Sequence, residues 1–80
     1  MAMSWMQKEL RRDARRAGLN ALLSFERAME SQEEADNWAQ LGDCAERVAF
    51  WTARADKAER RTYQHACMAF RSAIRSMEES

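Results

Sequence analysis

Residues 43–77 read DCAERVAFWTARADKAERRTYQHACMAFRSAIRSM, and this stretch decides the fold. At 3.6 residues per turn it places Val48, Trp51, Thr52, Ala55, Thr62, Tyr63, Ala66, Ala69, Phe70, Ala73, Ile74 and Met77 on one continuous stripe. Arg47, Arg54, Lys57, Arg61, Arg71 and Arg75 fall on the other side. No proline interrupts the run and no glycine follows Gly42, so the pattern predicts one helix over about residues 44–77. Such a helix is about 50 Å long, well beyond the usual three or four turns. It cannot bury its stripe alone. The rest of the chain, or a second copy of it, must lie over it.

Upstream, Gly42-Asp43-Cys44-Ala45-Glu46 supplies a stop glycine and then a cap-like pair, Asp43 with Glu46. Before it, Ser31-Gln32-Glu33-Glu34 reads as a capping box that starts a short connecting helix over about 32–41, with Ala35, Trp38 and Leu41 as its apolar face. The rival is a single helix from 32 to 77 through Gly42. A further capping box, Ser4-Trp5-Met6-Gln7, opens the first helix, over about 5–30. Its stripe is Met6, Leu10, Ala14, Ala17, Ala21, Phe25 and Ala28, in phase on both sides of Gly18, so the helix passes through that glycine. An interior glycine costs about 1 kcal/mol against alanine, and close helix packing is the expected compensation. The expected fold is all-α: an antiparallel helical hairpin with a short connecting helix, completed by dimerisation into a coiled-coil-like bundle. Alanine-rich seams (Ala14, Ala17, Ala21 against Ala55, Ala66, Ala69, Ala73) would let the two long helices approach closely.

Eighty residues make one domain near the lower limit for a self-sufficient core. Cys44 and Cys67, both on the long helix, are 23 positions and so about 35 Å apart. They cannot bridge within one chain, and two reduced thiols fit a cytoplasmic protein. No secretory or membrane-spanning run is present in the sequence.

Formal charge is zero overall but is laid out in blocks. Residues 1–20 carry five basic and two acidic groups, residues 21–46 one against seven, residues 47–75 seven against two, and Glu78-Glu79 add two acidic groups. Antiparallel packing would bring Arg11, Arg12, Arg15 and Arg16 near Arg71 and Arg75 as a basic pole. Glu26, Glu30, Glu33, Glu34 and Asp36 would gather at the connecting end as an acidic pole.

Chemistry-bearing motifs are absent from the sequence. His65 is the one histidine, and Cys67, two residues on, points to another side of a helix, so the pair cannot grip one metal. His65 reads as a border residue of the stripe. There is no glycine-rich phosphate loop and no nucleophile paired with a base. Glu59, three residues after Asp56, projects near the centre of the long helix's stripe. It reads as an internal ion-pair partner of Arg15 or Arg16, fixing register, rather than as a general acid. The expectation is a non-enzyme without cofactor or metal.

Two apolar sets lie off the main stripes: Leu19 and Leu23 beside Arg12 and Arg16, and Phe50 and Met68 among Arg54, Lys57 and Arg61. Either Leu19 and Leu23 pack against the short helix through Trp38 and Leu41, or these side chains form a second contact surface. On the second reading Leu19, Leu23, Phe50, Met68, Arg12, Arg16, Arg54 and Arg61 bind a partner protein, and Arg11, Arg15, Arg71 and Arg75 form the basic pole. The expected partners are another protein and a second copy of the chain, with no membrane. Eleven of thirteen basic residues are arginine, which suits phosphate contacts, so a nucleic-acid or nucleotide binder using the basic pole is the alternative. In size, compactness and lack of motifs the chain resembles, in kind, the small helical accessory proteins with which phages inhibit host machinery, anti-CRISPR proteins among them. No motif or residue carries that likeness.

Overall fold

The computed structural model describes residues 4–78 as two α-helices, α1 (Trp5–Leu41) and α2 (Ala45–Glu78), folded back on one another as a hairpin. Glu79 of the expected acidic tail pair lies outside the described residues. The rod measures 63 × 13 × 12 Å between Cα extremes.

Ser4 caps α1 as its residue type dictates. Its extended backbone (φ −63°, ψ 158°) leaves Oγ to accept from the Gln7 backbone N–H at 3.2 Å, while the Ser4 N–H donates to Gln7 Oε1 at 3.2 Å. At the other end Gly42 has φ 90° and ψ −115°, a conformation open in practice only to glycine, and its N–H donates to the Ala39 carbonyl at 3.4 Å. The chain therefore breaks at Gly42, and the rival helix from 32 to 77 is not adopted. The first intrahelical bond of α2 runs from the Val48 N–H to the Cys44 carbonyl at 3.0 Å. Cys44, not Asp43, thus occupies the N-cap position.

The expected short connecting helix is not a separate element. α1 continues through Ser31 without interruption, because Ser24, Ala28, Ser31, Ala35 and Trp38 keep the spacing of the residues before them. The local cap signal at Ser31 loses to tertiary packing: Ser31 is buried against α2 instead of turning out to start a helix.

The packed seam has a period of seven residues. On α1 it runs Gln7, Leu10, Ala14, Ala17, Ala21, Ser24, Ala28, Ser31, Ala35, Trp38; on α2, Val48, Trp51, Ala55, Ala58, Thr62, His65, Ala69, Ser72, Ser76. Every one is buried or half-buried, and steps of three and four alternate throughout, the pattern of a left-handed coiled coil. Most are Ala, Ser or Thr. Subtracting the two Cα cylinders from the 13 Å width leaves about 8 Å between axes, the close end of the helix-packing range. The Thr62 hydroxyl satisfies itself by donating to the Ala58 carbonyl at 2.9 Å.

This seam corrects the composition of the expected stripes. The buried hydrophobic residues among those described are Ala17, Ala35 and Ala55, and no large side chain is fully buried. Tyr63, Phe70, Ile74 and Met77, assigned by hydropathy to the stripe of the long helix, are 52–74% exposed. Met6 and Phe25 of the first helix are also outside, at 45% and 52%. Buried in their place are Gln7, Ser24, Ser31 and Ser76. At this axial separation the side chains that fit are selected by volume, and a serine of near-alanine size fits where phenylalanine does not.

Candidate interaction surface

A long-range hydrogen bond shows the register of the hairpin. Gln7 Nε2 donates to the Ser76 carbonyl at 3.3 Å, with both residues buried. That carbonyl belongs to the last turn of α2, where helix geometry leaves the oxygen without an intrahelical donor. Residues whose numbers sum to about 83 are therefore level across the hairpin. At the closed end the Arg47 guanidinium lies 4.3 Å from the centre of the Trp38 ring, tying α2 to α1 beside the turn.

Two grooves flank the seam on opposite sides. One is lined at the closed end by Ala39 of α1 and by Val48, Ala49, Thr52 and Asp56 of α2. Seven-residue steps along the same side lead from Ala49 and Asp56 to Tyr63, Phe70 and Met77, from Thr52 to Glu59, Ala66 and Ala73, and from Ala39 to Gln32, Phe25 and Gly18. Leu22 and Met29 border Phe25 on α1 at three- and four-residue spacing. This side is an apolar face. Leu22, Phe25, Met29, Tyr63, Phe70 and Met77 on it are each more than half exposed.

The opposite groove is lined by Arg27, Glu30, Glu34 and Asn37 of α1 and by Phe50, Trp51, Arg54, Lys57 and Arg61 of α2. It is a charged face with an aromatic edge. The Phe50 and Trp51 rings meet edge to face, 5.4 Å between centres at 82°. Arg54 spans both, 5.6 Å from Phe50 and 5.4 Å from Trp51. Each such contact contributes about 0.5–1 kcal/mol at an exposed site, which restrains the guanidinium against the two rings.

Of the side chains expected to bind a partner, Arg54, Arg61 and Phe50 line this groove. Leu23, Arg16 and Met68 fall on the same charged side by seven-residue steps from Glu30 and Arg61, whereas Arg12 and Leu19 sit on the outer ridge of α1. Leu19, Leu23, Phe50 and Met68 are 51–62% exposed. They do not form one patch: Phe50 and Met68 are 18 residues apart on α2, about 27 Å. Packing of Leu19 and Leu23 against Trp38 and Leu41 is ruled out, because all four stand on one uninterrupted helix with Leu19 about 28 Å from Trp38. The apolar face of Tyr63, Phe70 and their neighbours is hidden from hydropathy reasoning because it merges with the seam in a 3.6-residue projection. The signal that separates them is the run of large side chains at seven-residue steps, Tyr63, Phe70, Met77, beside a run of small ones.

At the open end, Arg71 stands level with Arg12 and Arg75 with Lys8, with Arg11, Arg15 and Arg16 on the adjoining turns. The open half, residues 4–21 with 62–78, holds seven basic and three acidic groups, +4. The closed half, residues 22–61, holds six basic and nine acidic groups, −3. Arg54, Lys57 and Arg61 line one groove with Glu30, Glu33 and Glu34, which tempers the expected acidic pole without cancelling it.

The expected pairing of Glu59 with Arg15 or Arg16 does not form. Glu59 is exposed and level with Ser24, some eight residues and about 12 Å along the rod from Arg16. His65, expected at the border of the stripe, stands in the seam level with Gly18, its Nδ1 buried and without a hydrogen-bond partner. Gly18 itself is not held by close packing: a Cβ added there would meet nothing within 4 Å. Among the described residues no three His, Cys, Asp or Glu side chains group as metal ligands, and no helix is long and apolar enough to cross a membrane. Compared with protein families, curated proteins and solved structures, the chain matches none.

Proposed function

We propose that this chain is a non-enzymatic protein–protein interaction module of the cytoplasm. It dimerises into a helical bundle and presents its arginine–aromatic face to a protein partner, whose activity it inhibits or bridges, as small phage accessory proteins do. One observation carries the reading: among the described residues fourteen large hydrophobic side chains are exposed, and the buried hydrophobics are alanines. Scattered exposed hydrophobes are ordinary, but so many on a coil with a complete seam of its own amount to contact surface. The preset Arg54–Phe50–Trp51 cluster suits such a role, since arginine and aromatic residues dominate binding hot spots. Two free thiols, Cys44 and Cys67, agree with a reducing compartment. The test is capture from host lysate by the wild-type chain and by Phe50→Asp and Arg54→Ala variants. A partner retained by the wild type and lost by both variants, with helicity intact, supports the reading. Capture indifferent to both removes it.

The basic open end favours a second reading, a nucleic-acid binder using Arg11, Arg12, Arg15, Arg71 and Arg75. Phosphate contacts would give binding that falls steeply with salt. No retention of DNA or RNA at about 50 mM salt removes that class.

A further inference from the structure

We propose that the apolar face of the hairpin docks on the same face of a second copy, with the two rods antiparallel, so that the basic end of each lies over the acidic end of the other. This rests on the reading that the chain self-associates, and adds to it the face used and the direction.

The area is sufficient. Leu22, Phe25, Met29, Tyr63, Phe70 and Met77 are 52–74% exposed. At roughly 200 Å² for a fully exposed side chain of that size, they offer about 750 Å² per copy, close to the ~800 Å² per partner of a stable interface. Gly18, Ala66 and Ala73 lie among them, so the backbone of a second rod can approach between the large side chains. The charged face is a poorer candidate, because joining two such faces would bury arginine and glutamate side chains that the single chain leaves in water.

Charge decides the direction. On the apolar side, Lys8, Arg11 and Arg15 stand toward the open end, and Asp36, Asp56 and Glu59 toward the closed end. Parallel docking would stack +4 on +4 and −3 on −3; antiparallel docking sets +4 over −3 at both ends. A two-fold axis across the middle of the rods meets the requirement that the same patch serve both copies. It lays α1 over α1 and α2 over α2, every neighbouring helix antiparallel, as a four-helix bundle. Lys8 and Arg11 of one copy then reach the neighbourhood of Asp36 of the other.

The experiment places one spin label per chain at the tip of the turn, Asp43→Cys in a Cys44→Ser, Cys67→Ser background, and measures the label–label distance at a concentration where sedimentation shows the dimer. Antiparallel docking predicts about 50 Å, the length of the overlapped helices. A distance near 20 Å, two helix spacings or so, would overturn the direction. A monomer at every concentration would defeat the self-association reading itself, a separate and distinguishable failure. For the face, Phe70→Asp is expected to raise the dimer Kd at least ten-fold and Met68→Asp less than three-fold. The reverse order would overturn the choice of face. Phe70 is 70% exposed in the single chain, so the hairpin does not need it. Should the aspartate variant lose helicity, Phe70→Ala, followed by the concentration dependence of its mass, reads the same quantity.

Discussion

Placing leucine at position 55 distinguishes a seam chosen by size from one chosen by hydropathy. Ala55 is 5% exposed and level with Ala28, between the buried Ser24 and Ser31. A stripe that lacked only hydrophobicity would gain from Ala55→Leu: three added carbons at about 0.8 kcal/mol each give some 2.4 kcal/mol of transfer free energy. The structure predicts the opposite sign. With axes about 8 Å apart, a leucine forces the helices toward the ~10 Å of larger contacts or into an off-rotamer conformation, at a cost of about 1–3 kcal/mol. Opening the seam by even 0.5–1 Å also forfeits a quarter to a half of each neighbouring dispersion contact, here at Ser24, Ala28 and Ser31. The expected net result is a loss of about 1–2 kcal/mol, or a melting temperature lower by roughly 4–16 °C in a domain of this size. Urea unfolding followed by circular dichroism at fixed protein concentration reads it directly. An Ala55→Leu variant more stable than the parent would refute the reasoning.

Two glycines offer the same substitution with opposite signs. Gly18→Ala, in helical backbone with open space around its Cβ, should stabilise by about 0.5–1 kcal/mol. Gly42→Ala should destabilise by about 1–3 kcal/mol, because φ +90° strains any L side chain whatever the space around it. Paired melting curves would show both shifts, and equal signs would contradict the turn geometry. Gln7→Glu keeps the acceptor that caps Ser4 but loses the donor to the Ser76 carbonyl, so it should cost about 1–3 kcal/mol at neutral pH. Part of that loss should return near pH 4, where a protonated carboxyl donates again. A variant as stable as the parent at pH 7 would show that the bond adds nothing to stability.

Much of the hairpin is legible in the residues themselves. Ser4 and Gln7 announce the start of α1, Gly42 the break between the helices, and the absence of proline the length of both. What misled was the assumption that apolar means buried. In a coil this narrow the inward positions admit alanine, serine and threonine. Phe25, Tyr63 and Phe70 lie one position round the helix, close enough in a 3.6-residue projection to pass for core. Ser31 misled for a related reason, since a small polar residue serves equally well as a cap or as a seam filler, and only the partner helix decides which. The two faces were less accessible still. Leu19, Leu23, Phe50 and Met68 were visible as outliers, but their scatter along the rod needed the Gln7–Ser76 register to be seen.

The large side chains of the hairpin face outward, where a second copy would cover them. Sedimentation equilibrium of the unmodified chain at micromolar concentration tests this most directly. The expected dimer has twice the 9.3 kDa of a single chain, and its mass falls toward 9.3 kDa as dilution separates the copies. A species of 9.3 kDa at every concentration measured would contradict self-association.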